Sequence, residues 1–368
     1  TRSFAEKEIK PHVRELDRKG EFSVELTQKY GEEGLMGMYM PEKYGGFNQD
    51  YLSFIIAVEE LARIDGSQAA TVAAHNCLGI APIYNYGTEA QKQKYLPRLT
   101  SGKALWAFGL TETHAGSDAK NIKTYAKLEN GNWILHGNKI FITNASNPLS
   151  AGITVLADTS GESGEKEYSA ILMERNTEAY QAEPIKDMML WRSGDVSKVS
   201  LKNCRVPEDQ LLGKRGKGLK IMLESLDAGR LSIAAMGLGC AQGAYEMALN
   251  YAKRRKQFGK PLSNYQVNAF KLADMATKIE MARTSLYHIV LMKDKGYPIS
   301  KEAAMIKLYT SEIAKEVVDH AMQIFGAYGF LKDSDIERFY RDQRSLQIGE
   351  GSSEILRMII SRQIGCYD

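Results

Sequence analysis

The chain has 368 residues, with 48 Lys and Arg against 45 Asp and Glu, a formal charge of +3. That length allows a large core and two or three structural units, and so even a charge balance argues against nucleic-acid binding as the main activity. Cys77, Cys204, Cys240 and Cys366 form no close pair and no two histidines fall three or four residues apart, so neither a disulfide scaffold nor a local metal site is expected, and a reducing compartment is the natural setting.

The N-terminus, TRSFAEKEIKPHVREL, lacks Met and the apolar stretch of a signal peptide. It reads as mid-helix, so the true start is expected to be missing. No uncharged apolar run approaches membrane-spanning length. Residues 1–105 read as helical, with Ser23 as the cap of VELTQKYGEEG and a loop at KYGGF, residues 43–47. Residues 106–213 change character. Asn130-Gly131 stands between two alternating runs as a hairpin signal, and KIFIT, AGITVLAD, YSAILME and KVSLKNCRV are β-branched runs separated by turn residues. From Gly218 the helical period returns. Met275, Ile279, Ala282, Leu286 and Ile289 form one stripe, Tyr297-Pro298 breaks it, and Ile306, Ile313, Val317 and Ile324 form the next. We expect a mainly α chain with a β middle: a helical domain (1–105), a β-sheet or barrel domain (106–213) and a helical bundle (214–368).

Several segments carry polar chemistry, and each has an ordinary explanation. GLGCAQG, residues 237–243, is one residue too long for a dinucleotide fingerprint and lies in a helical run, so its glycines point to close helix packing. GKRGKG, residues 213–218, lacks the P-loop spacing and reads as a solvated turn. FGLTETHAGSD, residues 108–118, has the hydroxyls and small residues that suit an anion or a polar ring edge; on composition alone an ordinary loop is the better reading. Phe141 beside Thr143 and Asn144 has the makings of a flank for a flat heterocycle, although an aromatic in a strand is more often core. RRKQFGKPLSNYQ, residues 254–266, fits phosphate contacts or a charged helix end. In LQIGEGSSEIL, residues 346–356, Glu350 lies between Gly349 and Gly351: either a surface turn or a carboxylate that something must approach closely.

Taken together and in order, KYGGF, LTETHAGSD, KIFITNAS, LDAGR (226–230), RKQFGKPL, QIFGAYGF (323–330), ERFYRDQR (337–344) and IGEGSSEI make the chain similar to the acyl-CoA dehydrogenase family over essentially its whole length. The resemblance implies FAD and the oxidation of an acyl-CoA thioester to the trans-2-enoyl-CoA. It implies that Glu350 is the base that takes the α-proton. Family members that place the base elsewhere have it just before the arginine of LDAGR, where this chain has Gly229.

By the same resemblance, Phe108, Leu110, Thr111, Gly116, Ser117, Phe141, Thr143, Ser352 and Glu354 match FAD contacts within a subunit. Arg255, Gln257, Phe258, Gln266, Gln323 and Ala327 match FAD contacts across a subunit interface, which implies an oligomer, usually a tetramer. Ser117, Asp227, Arg230, Gly351 and Arg362 match acyl-CoA contacts. Electrons are expected to pass to an electron-transferring flavoprotein. Ser352 stands for the family's Thr and keeps the hydroxyl; Glu354 stands for Gln and loses an amide donor. Gly349 replaces a common Tyr, and Ala74 a common acid, so more room near the acyl end is expected, suiting a branched, cyclic or aromatic group; a short, branched or cyclic acyl-CoA is expected over a dicarboxyl one. No cation occurs between Asp65 and Ala74, so dicarboxyl substrates are expected to be poor. An oxidase-type enzyme and a non-catalytic flavin- or nucleic-acid-binding relative are the alternatives. Location is expected to be the cytoplasm in a bacterium or the mitochondrial matrix in a eukaryote, with the bacterial setting preferred.

Overall fold

The structure is a computed structural model that describes residues 1–161 and 165–366. Helical turns from Arg2 lead into α1 (Lys10–Lys19), α2 (Val24–Glu32), α3 (Tyr51–Ala62), α4 (Gly66–Ala74), α5 (Ala81–Tyr86) and α6 (Glu89–Thr100). Side-chain caps set the starts of α2, α3, α4 and α6. Ser23 accepts from the Leu26 N–H as expected, Asp50 from that of Ser53 and Asp65 from that of Gln68, and Thr88 with Gln91 forms a capping box. A wide helical turn, His75–Ile80, joins α4 to α5.

Eight strands among the described residues form one sheet: β1 (Leu105–Gly109), β2 (Tyr125–Glu129), β3 (Asn132–Thr143), β4 (Ser150–Asp158), β5 (Tyr168–Glu174), β6 (Tyr180–Pro184), β7 (Val196–Pro207) and β8 (Leu211–Leu212). The order is β6-β7-β3-β2-β4-β5-β8, with β1 parallel beside β4. Asn130 and Gly131 turn the β2–β3 hairpin with φ of 48° and 72°, the two positive angles a type I′ turn requires. A register shift between Lys139 and Ile142 puts a bulge near the end of β3.

The last part is α7 (Gly218–Arg254), α8 (Gln266–Asp294), α9 (Ser300–Phe325), α10 (Asp335–Asp342) and α11 (Ser353–Gln363). The expected apolar stripes of α8 and α9 are buried. Between α7 and α8 the chain makes a tiny hairpin, Lys256–Gln257 against Lys260–Pro261, where the sequence reading had only a helix break. The outer helical parts do not have separate cores. Phe54, Leu61, Ala234, Leu238, Ile313 and Val317 belong to one cluster, while Trp133, Leu135, Ile153, Ile171, Val199 and Leu201 form the core of the sheet. Gly239 and Gly243 let α7 press on α3: a Cβ at either would stand 2.1 or 2.2 Å from the carbonyl oxygen of Glu59 or Arg63. Close packing, not a dinucleotide, explains that motif.

Candidate active site

Glu350 lies in the loop between Gln347 and α11. Its φ is +54° and that of Gly351 is +107°, so two consecutive residues adopt backbone that L side chains avoid. For the glutamate that conformation costs about 1–2 kcal/mol. Two cations hold the loop. Lys307 of α9 donates to the Gly351 carbonyl at 2.7 Å, and Arg230 of α7 reaches the Glu350 carbonyl at a longer 3.4 Å. The residue as a whole is half-buried, but carboxylate Oε2 is buried and has no hydrogen-bond partner among the described residues. Burial pushes the Glu350 carboxyl up to about 7, while Lys307 and Arg230 pull the other way. A carboxylate in that state is a base matched to neutral pH.

Gly229 faces this carboxylate. A Cβ there would lie 2.1 Å from Oε2 of Glu350, so the two positions at which the resemblance places a base compete for one space. The missing side chain at 229 makes room for the acid at 350. Behind Gly229, the Tyr51 hydroxyl donates to the Ala228 carbonyl at 3.0 Å and lies 3.3 Å from Cys77 Sγ. Burial pushes the Cys77 thiol up to about 12, so it is an inert neutral wall. One turn away, Asp227 accepts from Arg230 and from Ser300 Oγ.

The sheet presents a second surface. At the β3 bulge Phe141 has φ of +59° and is 61% exposed. The ring is thus not packed in the core, the ordinary alternative for a strand aromatic: the bulge turns it outward. Thr143 follows two residues on and is half-buried. The loop of residues 108–118 is tied to the same strand. Ile140 donates its N–H to the Thr111 carbonyl at 3.0 Å, and the buried Lys139 donates to the Leu110 carbonyl at 3.2 Å and to Glu112 Oε1 at 2.8 Å. Phe108 and Thr111 are half-buried and Leu110 is buried, whereas Gly116 and Ser117 are exposed, and a Cβ at Gly116 would meet nothing within 4 Å.

Three family models cover the chain in order: the acyl-CoA dehydrogenase N-terminal domain over residues 1–103, the middle domain over 107–204 and the C-terminal domain over 216–365. The chain belongs to the acyl-CoA dehydrogenase family. It is 39% identical to the short-chain specific acyl-CoA dehydrogenase of Clostridium acetobutylicum over 363 residues, 99% of this chain and 95% of that one. The butyryl-CoA dehydrogenase structure from Megasphaera elsdenii superposes with a TM-score of 0.95 at 39% identity, covering 98% of this chain and 95% of the other. A chain of the structure described as the electron transferring flavoprotein of Acidaminococcus fermentans matches with a TM-score of 0.96 at 42% identity, covering 99% and 95%.

Acyl-CoA dehydrogenases are FAD-dependent oxidoreductases, and the sheet surface fits that cofactor. An outward aromatic and hydroxyl at the bulge suit a flat ring, and the open Gly116–Ser117 turn leaves backbone free to meet polar groups. Ser352 is the N-cap of α11, accepting from the Ile355 N–H at 3.4 Å, so part of its hydrogen-bonding capacity is already used. Glu354 is exposed in the first turn of that helix, where the helix dipole favours an acid.

The residues matched to cross-subunit contacts lie at the turns around the ends of α7, α8 and α9. The guanidinium of Arg255 lies 5.6 Å from the ring centre of Tyr328, which joins the turn after α7 to the turn after α9. Arg255, Gln257, Phe258, Gln266, Gln323 and Ala327 are all exposed. Arg362 is also exposed, in the last turn of α11. Sequence reading missed Lys307, Lys139 and Lys293. The first two carried a signal, a lysine at an inward position of an apolar stripe or an alternating strand. Lys293 stands over the Tyr51 ring at 4.0 Å, a contact between α8 and α3 with no local signature.

Proposed function

We propose that this acyl-CoA dehydrogenase acts on a short-chain acyl-CoA thioester, with Glu350 as the base. The observation that carries this is the buried, unpartnered Oε2 of Glu350 in the space that Gly229 leaves open. Glu350 takes the α-proton onto its carboxylate, and the Cα–H electron pair becomes the new Cα=Cβ bond. FAD, when bound, accepts the hydride that leaves Cβ. We assign to the Glu350 N–H, on strained backbone held by Arg230 and Lys307, the stabilisation of negative charge developing on the thioester carbonyl. Asp227, Arg230 and Ser117 are assigned to acyl-CoA, and Arg362 to its outer part.

The likeness to short-chain and butyryl-CoA relatives supports a short acyl group. A Cβ at Gly349 would meet nothing nearer than the Ser345 carbonyl oxygen at 3.5 Å, so the missing aromatic there leaves room for a branch or ring. We assign electron transfer to an electron-transferring flavoprotein, supported by the matched chain in such a structure. The exposed face around Phe258 calls for a second copy of the chain to complete the flavin site, consistent with a tetramer.

The test is anaerobic mixing of the flavin-loaded protein with a panel of acyl-CoAs while the flavin absorbance is followed. Butyryl-CoA is expected to bleach it, and Glu350→Gln to keep the flavin but lose about 10³-fold or more in rate, the scale of a lost general base. Full activity in that variant would refute the assignment of the base. Glutaryl-CoA is expected to be poor. Turnover equal to that of butyryl-CoA would overturn the exclusion of dicarboxyl substrates.

A further inference from the structure

The inward face of α9 is polar where it meets the Glu350 loop. Lys307, Thr310 and Ser311 are each fully buried. Ser311 Oγ donates to the Leu346 carbonyl at 2.8 Å, and Gln347 Nε2 donates to the Ser311 carbonyl at 3.0 Å. Lys307 Nζ donates to the Gly351 carbonyl at 2.7 Å. One helix therefore grips the loop both before and after Glu350.

Lysine is almost never fully buried unless a counter-charge pairs with it. Among the described residues Lys307 makes no ion pair, and the hydrogen bond of its ammonium goes to a neutral carbonyl. Its charge is thus left to act on what surrounds it: Glu350 in the loop, Arg230 on α7, and Glu312 on its own helix. Glu350 in turn faces Lys307, Arg230, Tyr51 and Cys77. Tyr51 and Cys77 are neutral, and Arg230 is partly neutralised by its ion pair with Asp227. Lys307, with no ion pair of its own among the described residues, is the cation whose charge is left to oppose the burial of the base. Burial pushes Lys307 down to about 8, so it stays largely charged at neutral pH, with Glu350 opposing the loss of its proton.

We propose that Lys307 is a positioning residue for the reaction: its ammonium fixes the left-handed Glu350–Gly351 turn and keeps Glu350 ionisable in a pocket that otherwise favours the neutral acid. The inference rests on Glu350 being the base. It assigns two jobs to one side chain, a hydrogen bond that holds geometry and a charge that sets when the base is ready.

The two jobs separate by substitution. Lys307→Gln keeps a donor and loses the charge, Lys307→Met loses both, and Lys307→Arg keeps the charge. Each flavin-loaded variant is mixed anaerobically with butyryl-CoA across pH, and the limb along which the bleaching rate rises with pH is recorded. In the Gln and Met variants that limb is expected to move toward alkaline pH by about 1 unit or more, since loss of a nearby cation favours the protonated acid. Lys307→Arg is expected to return it toward the wild-type position. A wild-type limb in both flavin-retaining Gln and Met variants overturns the proposal. Should these variants fail to fold, the wild-type protein still decides. The carboxylate infrared band present in wild type and absent in Glu350→Gln reports Glu350 directly. A midpoint near neutrality is expected, and one at about 9, where burial without cationic help places a glutamate, overturns the proposal. Bleaching by Glu350→Gln at the wild-type rate would be a failure of the base assignment itself, distinct from an unmoved limb.

Discussion

Two places in the molecule share one local backbone signature and differ in everything around it. Glu350 (φ +54°) precedes Gly351 (φ +107°), and Phe258 (φ +48°) precedes Gly259 (φ +83°). The first pair lies in a loop whose carbonyls are held by Lys307 and Arg230 and whose side chain is enclosed by α7 and α9. The second is the tip of a two-residue hairpin, and Phe258 is 97% exposed. Both are strained turns, and strain persists only where surrounding structure over-determines it. The chain supplies that structure for Glu350 by itself. For Phe258 the pairing of Lys256–Gln257 with Lys260–Pro261 fixes the backbone but leaves the ring uncovered, and Val267, Phe270 and Phe330 are exposed as well. The contrast separates a turn whose side chain the chain itself encloses from one whose side chain it leaves open.

Substitution of Gly229 tests the self-contained side most strongly. Gly229→Ala would place its Cβ on Oε2 of Glu350, the mobile end of a side chain, so the acid moves rather than the fold. The bleaching rate with butyryl-CoA is expected to fall about 100-fold, the scale of a base displaced by 1 Å, with little change in melting temperature. A variant that melts far lower would show that the helices, not the carboxylate, bear the crowding.

The same enclosure predicts a stability cost with a definite sign. The carboxyl of Glu350 is raised from an ordinary 4.5 to about 7, so between those values the folded state holds a proton that the unfolded state has lost. Folding stability from this group is complete below about 4.5 and declines as pH rises to about 7. Glu350→Gln, which cannot ionise, is therefore expected to be more stable than wild type above neutral pH by roughly 3 kcal/mol. The advantage should shrink as pH falls through that window, as read by denaturant unfolding of the two proteins side by side.

Phe258→Asp addresses the open side. It is expected to weaken flavin retention about tenfold and to shift the sedimentation profile toward smaller species while leaving the helical signal intact. Unchanged mass and flavin content would remove Phe258 from any interface. The smallest effect is expected at Glu354. Restoring the amide with Glu354→Gln should tighten FAD by a few-fold, on the order of one neutral hydrogen bond, as measured by flavin fluorescence on titration.

The local parts of this fold were legible in the sequence. Periodicity located α8 and α9, Ser23 marked a helix start, and Asn130-Gly131 marked the hairpin, because each depends on residues a few positions apart. Ordered motifs identified the family, and with it Glu350 as the residue to look at. The sequence left the outward turn of Phe141 undetermined, since a bulge is a mismatch between β3 and β7 that neither strand carries alone. It also left the single core shared by the outer helices undetermined, because amphipathic stripes show that a face is buried but not against what.

By itself, then, the sequence determined the order of helical, β and helical units and the presence of an acid between two glycines. Only the tertiary structure decided what that acid is. Gly229 vacates its space from 121 positions earlier in the chain, burial raises its carboxyl, and Lys307 and Arg230 oppose that rise from two other helices. Burial and Coulomb interactions depend on distance in space, and distance in space is what a sequence does not print.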